Sequence, residues 1–246
     1  MKEGLLVRVG IDGTSKSGKW NAPVDTETGR FLYIPILEGE NAIFKEGLER
    51  KYDELIPEVK KFYQDCGCVF GFPDRLYDQS MHLDPDFENL TYGDQGKKGA
   101  RIYKMNPGDF LVFYAGLRSI DSSHRELVYA IIGIYIIDKK MEAESVIKDH
   151  WHENAHTRRT IIKAGDIIVK AKKGVSGRLE RCIPIGEWRE NAYRVKEDIL
   201  EKWGGISAKN GYIQRSGTLP HFKNPERFYA WFKKQNVRLI KRNVCN

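Results

Sequence analysis

The chain has 246 residues, 41% of them hydrophobic and 30% charged, with a formal net charge of +7. That is enough polypeptide for a full buried core. No apolar run reaches the roughly twenty residues of a membrane helix, and no signal-peptide core follows Met1, so the reading is a cytoplasmic protein with no membrane partner.

Taken in order, residues 5–9 read as a short strand that ends in a loop carrying Gly10, Asp12 and Gly13. Gly13 to Lys19 matches the first seven positions of a P-loop, the lysine included. Trp20, however, stands where the Mg²⁺-binding hydroxyl belongs, and turn residues follow instead of a helix. What survives is a Gly-rich loop that offers Lys19 and backbone amides to a phosphate. Residues 31–37 form a second strand, confined by Pro35 to an edge or bulge. Apolar residues at spacings of three and four predict a helix over 47–65, broken or kinked at Pro57. Cys66 and Cys68 lack the spacing of a zinc knuckle or redox pair, and with Cys182 and Cys245 they make no disulfide framework. Residues 68–72 read as a further strand.

Next comes an acidic stretch from Met81 to Asp94. Pro85 holds Asp84 extended, so the spacing predicts that the carboxylates of Asp84 and Asp86 project the same way, roughly 6–7 Å apart at the backbone. Such a pair could share a divalent cation or divide into acid and base; a solvated turn is the plainer reading. His82 and Asp94 add to the density of ionisable groups.

Residues 110–114 and 126–137 are rich in β-branched and aromatic side chains and are separated by a polar loop. They predict two antiparallel strands at the centre of the core sheet, with Gly133 marking a bulge. Pro107-Gly108-Asp109 before the first, and Ile131-Ile132-Gly133-Ile134 in the second, resemble the strand pattern of PUA-like barrels, small curled sheets that hold nucleic-acid bases. That resemblance implies a partial barrel in which Tyr114, Tyr129 or Tyr135 packs against a flipped or modified base.

His152 and His156 are four apart, a spacing that can ligate a metal from one helix face, but the glutamate of an HExxH motif is missing. The same helix would present Asn154, His156 and Arg158 to a ligand. Residues 165–170 form a strand, and the loop after it gathers Lys172, Lys173, Ser176, Arg178 and Arg181, the best phosphate-contact candidate in the chain. Cys182 to Ile185 resumes as strand. A helix is predicted over 187–203, with Trp188, Tyr193, Val195, Ile199 and Trp203 on its apolar side and Gly204-Gly205 as its stop. Asn224 caps a last helix that begins at Pro225 and offers Tyr229 or Trp231 for base stacking.

Charge is unevenly placed along this order. Residues 1–150 hold 20 Lys or Arg against 25 Asp or Glu, and residues 151–246 hold 21 against 9, giving −5 and +12. A segregated basic part fits a polyanion, nucleic acid or nucleotide, although a Lys- and Glu-rich thermophilic surface has a similar composition. With no repeat and no linker, residues 1–246 read as one compact domain with an acidic and a basic part.

Taken together, Val7 to Asp12, Phe31 to Pro35, His82-Leu83-Asp84-Pro85-Asp86, Tyr92-Gly93-Asp94, Gly108 to Tyr114, Asn154 to Arg158 and Ser176 to Ile185 resemble the third type of nucleotide-modification-associated domain. The resemblance implies association with modified nucleotides and with systems that modify bases in DNA. The expected fold is α+β, a mainly antiparallel curled sheet flanked by helices. Two functional readings follow. In the first, Asp12, Asp84, Asp86, Asp94 and His156 catalyse hydrolysis or group transfer on a nucleotide, a divalent cation sits between the carboxylates, and Lys19, Asn154, Arg158, Lys172, Ser176 and Arg178 hold phosphates. In the second, the chain is a non-catalytic PUA-like module that binds RNA or DNA bases.

Overall fold

The computed structural model describes residues 3–14, 18–121, 123, 126–214 and 217–244. Ser15 to Ser17 of the Gly-rich loop, and Cys245, lie outside these residues.

The chain enters through β1 (Gly4–Arg8), β2 (Pro23–Val24) and β3 (Ile36–Leu37). The strand expected over 31–37 is thus reduced to its end, while residues 31–34 are buried as core. Pro57 lies in the first turn of α1 (Ile56–Asp65), where an amide would have no intrahelical partner, so it opens the helix instead of kinking it. Residues 68–72 form no strand; Phe72 packs edge-on against Trp20 and Tyr77. Next in order are β4 (Met81–His82), β5 (Thr91–Asp94), α2 (Gly96–Tyr103), β6 (Phe110–Ser119) and β7 (Leu127–Glu142). Then come α3 (Ala155–Arg158), β8 (Ile167–Ala171), β9 (Gly177–Pro184), β10 (Gly186–Arg189) and β11 (Ala192–Val195). The chain closes with α4 (Glu197–Trp203), α5 (Pro225–Lys234) and β12 (Leu239–Ile240).

Eight of these strands share one sheet, with the path β1-β6-β7-β8-β5 and with β2 on β6, β9 on β7 and β12 on β9. β1 and β2 run parallel to β6, and the other pairings are antiparallel. The fold is α+β, and among the described residues the sheet does not close into a barrel.

β6 explains its own unbroken apolar run. Leu111, Phe113, Ala115 and Leu117 enter one core with α1, and Phe110, Val112 and Tyr114 enter a second with α4 and α5. A strand covered on both faces has no polar side to show. β7 crosses between these cores in an unusual way. Ala130 and Ile132 face the first core, but beyond Gly133 it is Tyr135 and Ile137 that do so. The parity flips because the pairing slips by one residue between Phe113 and Tyr114, the bulge expected at Gly133. Gly133 is also required for space: a Cβ there would stand 2.6 Å from the ring of Phe87.

The helix expected over 187–203 is a hairpin followed by a shorter helix. β10 and β11 pair Trp188 with Tyr193 across a turn in which Glu190 and Asn191 both have positive φ, 52° and 57°. Gly204, with φ of 76°, ends α4 as expected. Among the described residues no helix is long and apolar enough to cross a membrane.

A candidate active site on a cleft floor

A cleft of about 820 Å³ opens where β1 ends. Arg8, Asp12 and Thr14 contribute from β1 and its loop, Tyr92 and Asp94 from β5, Lys98 from α2 and Tyr114 from β6. His82, Asp84 and His156 form the floor. His82 and Asp84 are two apart on an extended segment and therefore share a side.

Asp84 is fixed by donors from two directions. The Gly93 amide donates to its two oxygens at 3.0 and 2.8 Å, and Asn154 Nδ2 donates at 3.2 Å. Asn154 also caps α3, its Oδ1 accepting from the His156 amide at 2.9 Å. One asparagine thus places both the carboxylate and the imidazole. Gly93 makes room for the ring, since a Cβ there would lie 2.5 Å from His156 Cδ2.

Each histidine turns one nitrogen to a carboxylate behind it and the other toward Asp84. His156 Nδ1 lies 3.0 Å from Asp166 Oδ2, and its Nε2 stands 3.6 Å from Asp84 Oδ2. His82 Nδ1 lies 3.1 Å from Glu38 Oε2, and its Nε2 stands 3.9 Å from Asp84 Oδ2. The two rings meet edge-on, 5.0 Å apart. Arg159 pairs with Glu38 and reaches 3.1 Å from His82 Nδ1.

Burial dominates the electrostatics here. It pushes the Asp84 carboxyl up, against the pull of His156, His82 and the Gly93 amide. It would push Glu38 up as well, but His82 and Arg159 outweigh it and hold that carboxyl at about 2. His156 would be pushed down by burial, yet its hydrogen bond to Asp166 and the nearby Asp84 carboxylate lift it to about 9.

Of the residues expected in the site, Asp12, Asp84, Asp94 and His156 converge on the cleft. Asp12 pairs with Arg8 at 3.0 Å and accepts from the Thr14 amide at 2.8 Å. Asp94 accepts from the Tyr92 hydroxyl at 2.7 Å. Asp86 does not join them. It is fully buried and points away, accepting from the Glu88 and Asn89 amides at 3.1 and 3.0 Å, from Arg158 at 2.7 Å and from Asn243 at 3.2 Å. The expected parallel carboxylates therefore diverge, because Asp86 closes a tight turn of its own.

Asn154 and Arg158 are buried and bonded to protein groups, so they organise the floor from behind. His152 is exposed and contributes its carbonyl to Arg158 Nε at 2.9 Å, so the partner of His156 is His82 and not His152. Ser176 accepts from the Ile136 amide at 2.9 Å, and Arg178 is buried and donates to the Arg242 carbonyl at 2.9 Å. Those two face inward, away from any loop surface, while Lys19 and Lys172 are exposed and outside the cleft lining.

The sequence reading passed over Glu38, Asp166 and Lys98, and it left His82 without a role; Arg159, read beside Arg158 as a donor for phosphate or carboxylate, pairs with the Glu38 carboxylate. Only His82 carried a local signal, the His-Leu-Asp alternation that puts positions 82 and 84 on one side of a strand. Among the described residues, His82, Asp84 and His156 are the one group of His, Cys or acidic side chains whose ligand atoms all lie within 4.8 Å of one another.

No curated protein and no solved structure matches this chain. A family model described as nucleotide modification associated domain 3 matches residues 4–218, a span that includes the whole cleft floor and the carboxylates behind it. The chain therefore belongs to the nucleotide modification associated domain 3 family.

Proposed function

We propose that the protein is an enzyme that carries out hydrolysis or group transfer on a nucleotide, free or within a nucleic acid, bound in this cleft. The observation that carries the reading is the convergence of Asp12, Asp84, Asp94 and His156 on one cavity from positions up to 144 residues apart. Buried ionisable groups around a cavity are the ordinary makings of a catalytic centre. A volume of about 820 Å³ suits a ligand of nucleotide size. Arg8 and Lys98 put positive charge on the walls, where phosphate oxygens would lie. The family's description, nucleotide modification associated domain 3, supports a nucleotide as the ligand.

A non-catalytic PUA-like reader would need free ring faces. The Tyr135 hydroxyl is spent on the Asp86 carbonyl at 2.8 Å, and Tyr129 is stacked on Tyr193 at 4.5 Å. Of the three tyrosines considered for that role, Tyr114 alone lines the cleft. This favours chemistry over reading.

The test is mass spectrometry of nucleoside phosphates and DNA digests after incubation with the protein. The wild type is expected to convert one class of substrate, and Asp84→Asn to slow it by about 100-fold or more, the scale of a lost charged catalytic group. Equal conversion by Asp84→Asn would remove the reading.

A further inference from the structure

We infer that the cleft floor is a mononuclear metal site in which His82 Nε2, Asp84 Oδ2 and His156 Nε2 hold one divalent first-row transition ion. The inference goes beyond the nucleotide reading and does not depend on it.

Spacing is the first support. Bonds of about 2.0–2.2 Å at angles between octahedral and tetrahedral put ligand atoms roughly 3.0–3.5 Å apart. The two histidine nitrogens stand 3.6 and 3.9 Å from Asp84 Oδ2, too long for good hydrogen bonds and close to that requirement. Orientation is the second. Each Nδ1 faces a carboxylate, Asp166 for His156 and Glu38 for His82; with the proton on that side, each Nε2 would turn its lone pair to the centre, as in carboxylate–histidine–metal relays. Charge is the third. Three carboxylates, Glu38, Asp84 and Asp166, meet around the two rings with Arg159 as the one guanidinium paired among them, a setting that favours a bound cation.

The ligand set fixes the class of ion. Two imidazoles and one carboxylate suit Zn²⁺, Fe²⁺ or Co²⁺, whereas Mg²⁺ and Ca²⁺ prefer all-oxygen shells. The ion expected from sequence, shared by Asp84 and Asp86, is replaced by one shared across 74 residues, from His82 to His156. Three protein ligands leave positions open toward the cleft for water or a substrate oxygen.

Metal-stripped protein titrated with Co²⁺, without nucleotide, reads the site directly. One equivalent is expected to raise visible d–d absorption bands and to be displaced by Zn²⁺. His82→Ala and His156→Ala should each weaken Co²⁺ binding by about 100-fold or more, and Glu38→Gln by about 10–100-fold. His150→Ala, at an exposed ring off the cleft, should bind as the wild type does. No d–d bands at one equivalent, or wild-type affinity in His82→Ala, overturns the inference. Should His156→Ala fail to fold, the wild-type stoichiometry and His82→Ala, at a partly exposed residue, still decide. Loss of Co²⁺ binding leaves nucleotide turnover to be judged on its own assay, and the reverse.

Discussion

Asn154 does two things at once: its oxygen caps α3 and its amide holds Asp84. Gly93 does two as well, donating to Asp84 and leaving space for the His156 ring. Gly93→Ala should therefore displace the ring and cost about 1–3 kcal/mol by overpacking, read as a lower midpoint in urea together with loss of the site's activity. Arg158 is the counterpart on the far side. Arg158→Met would leave Asp86 charged and fully buried, and a loss of about 3–5 kcal/mol is expected in the same measurement. Cys182 gives a test unrelated to the site. Burial pushes its thiol up to about 12, so the native protein at pH 8 should be alkylated at Cys66 and Cys68 and spared at Cys182 until it unfolds. Labelling of native Cys182 at the rate of Cys66 would contradict that burial. Asp84 and His156 were legible because their types carry chemistry. Asp86 misled, since alternation along a strand predicts a shared face only while the strand continues, and here the chain turns at Asp86. Glu38 and Asp166 had no local signal; they matter only through partners 44 and 10 residues away.

At the level of elements, composition and punctuation located the central strands, the bulge, and the cap and stop of the last two helices. Periodicity failed where a hairpin imitated a helix. Trp188 and Tyr193 are cross-strand partners, and the Glu190-Asn191 turn lacks the Asn-Gly signature that would have announced it. The bulge in β7 is the element with most consequence, because it keeps apolar side chains on both cores at once. Inserting an alanine between Ile134 and Tyr135, beyond the bulge, should force the residues after it to exchange faces, and the cooperative unfolding transition should be lost. Retention of a native-like transition would show that the strand absorbs the slip elsewhere. Asn224→Ala removes a single cap bond, to the Arg227 amide, and should cost about 1 kcal/mol.

Across the whole molecule, the −5 and +12 halves do not become two charged faces in any simple way. Much of the basic part is neutralised nearby: Lys170 by Glu153, Arg194 by Glu190, Lys202 by Asp198, with Arg158 and Arg178 buried. The positive charge on the cleft walls comes from the first part of the chain, from Lys98 and from Arg8, which is itself paired with Asp12. A nucleic-acid strand held there by these few cations should lose affinity with salt at a slope of about −1 to −2 on logarithmic axes; a slope near −6 would put the strand on an extended basic surface instead. On the reading proposed above, one cleft floor, assembled from β4, β5 and α3, holds the reacting part of a nucleotide. The most direct measurement is the anomalous map of a crystal soaked with Mn²⁺ and a nucleotide. A peak in contact with His82, Asp84 and His156 is expected, with ligand density running toward Lys98 and Tyr114. A metal peak and nucleotide density both lying outside this cleft would contradict it.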